Sequence, residues 1–182
     1  MSFPSFASGE VLTAADMNAV GMWLVKTQTI GSGVASVSIS NAFSANYDNY
    51  RIIINDVTAS TSGNLYFQFQ DSSGNNITTA FYAASGFYQL ASTTLNGSWG
   101  TTGTFWETMP MSTGSTNHCG FDLLAPNLAK FTRANGFGGM AEAVSFMYSG
   151  LHRVATAYPA FRIYPGSGTI TGGTIRVYGY RN

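Results

Sequence analysis

LYFQFQ, Leu65–Gln70, alternates without a break: Leu65, Phe67 and Phe69 fall on one side, Tyr66, Gln68 and Gln70 on the other. An extended chain, whose side chains alternate with period two, sorts these residues into an apolar and a polar face. A helix would scatter them around its axis. The next residues, Asp71-Ser72-Ser73-Gly74-Asn75, are turn formers. They predict a hairpin whose return strand is Ile77–Tyr82. Upstream, Tyr50–Val57 sets Tyr50, Ile52 and Ile54 against Arg51, Ile53 and Asn55. Further upstream, Val34–Ser40 sets Val37 and Ile39 against Ser36, Ser38 and Ser40.

The same patterns continue to the C-terminal end. Strands are predicted over Thr104–Met109, Cys119–Leu124, Lys130–Asn135, Glu142–Tyr148, Ala160–Tyr164 and Thr174–Arg181. Gly86–Gly103 reads as irregular, and Gly136–Gly139 and Gly166–Gly168 read as turns. About ten short strands with a turn signal every eight to twelve residues predict an all-β fold, an antiparallel β-sandwich of jelly-roll type. No fixed-period repeat points to a propeller or solenoid.

One segment departs from this pattern. In Phe6–Leu24, Thr13 suits a helix N-cap and Asp16 the acidic third position after it. Leu12, Met17, Val20 and Leu24 then share one face at helical spacing. A helix this short is marginal in water and needs a docking partner. The expected organisation is therefore an anchor segment with a short N-terminal α-helix over residues 1–30 and a β-sandwich over residues 31–182. Leu12, Met17, Val20 and Leu24 are the candidate partner-docking residues.

Charged residues are only 9 % of the chain, with eight basic against eight acidic. A chain with no basic excess lacks the face that displaces counterions from nucleic acid, or that adheres to an anionic membrane. Low charge and zero net charge suit a surface buried in an assembly. The single cysteine, Cys119, excludes an internal disulfide. Neither a signal peptide nor a membrane-spanning segment is read at the N-terminal end.

A search for chemistry finds no catalytic residues, no metal ligands and no cofactor site. His118 and Cys119 are adjacent, and neighbours on a strand face opposite ways, so they form no nucleophile pair. No HxH, HxxxH or CxxC spacing suits a metal. Eight carboxylates are present, but none is marked as one of a glycosidase pair. Aromatics in a polar, irregular stretch are the better signal. Phe87, Tyr88, Trp99, Phe105 and Trp106 stand among Ser, Thr, Asn and Gly, a setting suited to stacking on sugar rings. Tyr88, Trp99 and Trp106 are the candidate ligand-binding residues. The competing reading, given more weight, is that they fill the core or a seam between subunits.

Three segments carry a family resemblance. FASGEVLTAADMNAV, Phe6–Val20, resembles an N-terminal segment common in structural proteins of tailed bacteriophages. YDNYRIIINDVTAST with LYFQFQDSSGNN, and the ending TITGGTIRVYGYRN, look like strands of the β domains found in the same class. Together they cover about a third of the chain. The resemblance implies a virion protein of tail-fibre or tail-tip type without enzymatic activity. It implies a homotrimer whose partners are other virion proteins and, through the β domain, a host-surface glycan. The alternatives are a capsid-surface decoration or head-fibre protein, and a carbohydrate-binding or polysaccharide-depolymerising domain.

Overall fold

A computed structural model describes residues 8–9, 11, 21–79, 82–90, 95–140 and 144–180. Among them the chain forms twelve strands and no helix. These are β1 (Met22–Thr29), β2 (Val37–Ile39), β3 (Asn49–Ala59), β4 (Gly63–Gln70), β5 (Tyr82–Leu90) and β6 (Leu95–Gly103). They continue as β7 (Trp106–Met111), β8 (Asn117–Leu124), β9 (Thr132–Met140), β10 (Val144–His152), β11 (Ala160–Pro165) and β12 (Ile170–Tyr180). The larger sheet has the order β1-β12-β3-β8-β9-β10-β5-β6 and the smaller β2-β11-β4-β7. All pairings within both are antiparallel.

The LYFQFQ stretch is the inner part of β4, between β11 and β7. Its apolar side, Leu65, Phe67 and Phe69, is fully buried. Phe67 stacks on Trp106 of β7 and Phe161 of β11, and meets Phe121 of β8 edge-on at 5.7 Å. That last contact joins the two sheets. Tyr50, Ile52 and Ile54 of β3, with Ile175 and Val177 of β12, complete one core fed from both sheets. Each buried side chain of this size contributes roughly 1.5–3 kcal/mol.

Several expectations are corrected. The Asp71–Asn75 turn forms: the Asp71 carboxylate accepts bonds from the Ser73 and Asn75 amides, and Gly74 takes the positive φ. Its return strand does not. After Ile77 donates to the Phe69 carbonyl the chain leaves, because β11 and β7 already flank β4. Gly86–Leu90 and Leu95–Gly103 are not irregular but belong to the paired strands β5 and β6. Gly136–Gly139 is not a turn but the body of β9. There a Cβ on Gly136 would stand 2.5 Å from that of Phe121 and 2.7 Å from the Tyr148 ring, so bulky neighbours demand glycine in a strand.

The N-terminal expectation is corrected in part. Leu24 is not helical; it lies in β1, opposite Tyr178 of β12. Gly21 takes a φ of +91°, a conformation that glycine adopts without strain, and the extended chain begins directly after it. β1 covers what would otherwise be an open edge of β12. It also lies upstream of the 30/31 boundary, so the β domain includes residues from Met22 on. Leu12, Met17 and Val20 lie outside the described residues.

Candidate functional site

The face of the larger sheet turned away from the core carries the chain's exposed apolar row. Strand register aligns Phe87 (β5), Met147 (β10), Phe137 (β9), Gly120 (β8) and Ile53 (β3) across five strands. Phe87 is 60 % exposed, Met147 66 % and Phe137 58 %. The Phe137 ring reaches over Gly120, coming within 3.5 Å of where a Cβ would stand. A second row, two residues along and therefore about 7 Å away, is polar. It runs Ser85, Ser149, Asn135, Asp122, Arg51 and Tyr178, and ends at Leu24.

Two open grooves flank Phe137. The larger, about 580 Å³, is lined by Met22, Ile53, Asn55, His118, Met140 and Ser145 among others. The smaller, about 430 Å³, is lined by Ser85, Phe87, Asp122, Asn135, Met147 and Ser149 among others. Arg51 and Phe137 line both. Arg51 Nε lies 3.7 Å from an Asp122 carboxylate oxygen, which also accepts the Tyr180 hydroxyl proton. A partly exposed pair of this kind adds at most about 1 kcal/mol of stability. Its larger effect is to leave the groove floor electrically balanced. Burial, and then the bond to Asp122, raise the Tyr180 phenol above its ordinary pKa, so it stays a donor. At the far rim His118 Nδ1 accepts the Asp56 amide at 3.3 Å.

Of the aromatics singled out from sequence, Trp106, Tyr88 and Phe105 lie on the core side or beside the smaller sheet, away from Phe87. Trp106 is 1 % exposed and packs among Phe67, Phe69 and Tyr82, with Nε1 donating to the Ala83 carbonyl. It is a core residue and is withdrawn as a ligand contact. Tyr88 packs against the core cluster, on the opposite side of β5 from Phe87. Trp99 holds a position in β6 opposite Ser85. Phe105 stacks on Tyr66 at 4.0 Å beside the smaller sheet. Of the four docking candidates only Leu24 is described, and it stands 56 % exposed at the end of the polar row.

The other reactive side chains are inside. Cys119 is buried, and burial pushes its thiol up to about 12, so it carries no thiolate at neutral pH. His152 is buried between Tyr82 and Tyr158, its Nε2 2.9 Å from the Tyr158 hydroxyl. Among the described residues no group of three or more His, Cys, Asp or Glu could hold a metal, and no helix is long and apolar enough to cross a membrane.

Phe137, Met147, Asn135 and Ser149 were missed in the sequence. The usable signal was Gly136-Phe137-Gly138, a bulky ring between glycines, which a strand exposes on one face while keeping the other slim. No protein-family model and no curated protein matches the chain.

Proposed function

We propose that this chain is a structural protein of a tailed-bacteriophage particle, of tail-fibre or tail-tip type. Its N-terminal segment holds it to the particle and its β domain faces outward, as one member of a homotrimer. The observation that supports the β-domain part of this reading is the strand order. Set aside the hairpins β5–β6 and β9–β10, and eight strands remain, in the orders β1-β12-β3-β8 and β2-β11-β4-β7. The chain crosses between sheets at β1 to β2, β2 to β3, β3 to β4, β7 to β8, β8 to β11 and β11 to β12. This interleaving supports a jelly-roll sandwich, an architecture shared by viral capsid and lectin domains. The two hairpins continue the larger sheet past β8 and widen its outer face.

Fold alone does not assign function. The link to a particle comes from the phage-like segment Phe6–Val20, which stands directly ahead of β1. The test is to express the chain without residues 1–20 in cells producing the particle. That cut leaves β1 whole, and circular dichroism checks that the β domain is folded. The expected result is a soluble, folded domain absent from purified particles. Normal incorporation of the shortened chain would overturn the anchoring role.

A further inference from the structure

We propose that the two grooves beside Phe137 form one binding platform for a neutral, unsubstituted oligosaccharide lying across the strands of the larger sheet. This rests on the reading of the β domain as the outward part of the particle protein, and it names what that part holds. Three observations converge. Phe87 and Phe137 stand two strands apart, about 10 Å, with Met147 between them. That is too wide for the rings to stack on each other. Each presents exposed apolar surface, which matches the C–H face of a pyranose. Single exposed hydrophobic residues need no explanation, but three in register on one face do.

The second observation is the polar row beside them. Ser85, Ser149 and Asn135 are exposed and in register, and the Asn135 and Ser149 side chains make no hydrogen bond among the described residues. Short hydroxyl and amide side chains lose little conformational freedom on binding. They both donate and accept, as sugar hydroxyls require.

The third observation is charge. Arg51 and Asp122 lie in register and neutralise one another. Arg51 is the only Lys or Arg among the described lining residues. An anionic sugar would have to compete with Asp122 for Arg51, and the next cation in register is Arg176 of β12, beyond Ile53 at the far end of the row. The other occupant of such a face is a second copy of this chain. That copy would have to bury the hydroxyl, amide and ionic groups of the polar row against matching partners.

The test uses the full chain and neutral hexasaccharides of glucose, galactose and mannose, with a sialylated and a phosphorylated oligosaccharide as controls. Binding is followed by calorimetry, and mass in solution by light scattering. At least one neutral hexasaccharide is expected to bind. Affinity should fall about tenfold in Phe137→Ala and fall again in Asn135→Ala. It should be unchanged in Phe131→Ala, which removes an equally exposed ring that lines neither groove. The proposal is overturned if no neutral hexasaccharide binds at millimolar concentration, if only the anionic sugars bind, or if Phe137→Ala changes the mass of the assembly. Incorporation of Phe137→Ala into particles separates the two claims. Normal incorporation without sugar binding removes only the platform. A wild-type chain that never enters particles removes the particle reading whatever the sugars do.

Discussion

Trp106→Ala should be among the most damaging single changes in the chain, and the structure gives its size. The indole is 1 % exposed, stacked on Phe67 at 5.5 Å and edge-on to Phe69 and Tyr82. Truncating a buried Trp to Ala costs about 3–5 kcal/mol. Losing the bond to the Ala83 carbonyl adds about 1 kcal/mol. For a chain of this length that lowers the melting temperature by roughly 10–20 °C. A partner substitution makes the test specific. A Cβ on Gly150 would stand 2.9 Å from the indole, so Gly150→Ala overpacks the wild-type core at a cost of about 1–3 kcal/mol. With the indole gone that cost should vanish, giving a coupling of similar size between the two sites. Denaturant titration of the four proteins, with coincident fluorescence and circular-dichroism transitions as the two-state check, measures both numbers. A loss below about 1.5 kcal/mol for Trp106→Ala, or an unchanged Gly150→Ala cost in its background, would show that the ring does not pack where it is placed.

Two further outcomes follow from buried polar groups. Burial lowers the His152 pKa to about 4 from an ordinary 6.5, so the folded state holds the imidazole neutral while the unfolded chain takes up a proton. Its contribution is complete above pH 6.5 and is lost as pH falls toward 4. That destabilisation reaches about 3 kcal/mol, and a stability–pH profile that stays flat from 6.5 to 4 would contradict it. The Tyr148 hydroxyl is buried with no partner among the described residues. Tyr148→Phe should therefore leave stability unchanged or raise it by up to about 1 kcal/mol, and a clear loss in thermal denaturation would reveal a hidden partner.

The parts of the fold that could be read from sequence are those where apolar and polar residues alternate. β3 and β4 each turn their apolar side to the core, so Leu65, Phe67, Phe69, Tyr50, Ile52 and Ile54 were all legible as core, whereas the burial of Gln68 and Gln70 on the other side of β4 was not. Glycine hid β9. In isolation Gly136 and Gly138 weaken a strand, yet here Phe121, Tyr148 and Cys119 occupy the space their side chains would need. The β5–β6 hairpin was hidden by its Ser, Thr and Gly content, since β5 is held by pairing with β10, and β6 by pairing with β5, rather than by local preference. The candidate site was missed for a related reason. The exposed residues of its apolar row are scattered over three strands, and only register brings Phe87, Met147 and Phe137 into line. Trp106 misled in the opposite direction, because an aromatic in a polar neighbourhood of sequence is buried by strands from elsewhere.

The most direct measurement of the particle reading is quantitative mass spectrometry of density-purified particles from cells expressing either the whole chain or the chain lacking residues 1–20. The whole chain is expected at a fixed copy number that is a multiple of three, and none of the shortened chain. Finding the whole chain only in the free protein fraction, or both chains at equal copy number in the particles, would contradict it.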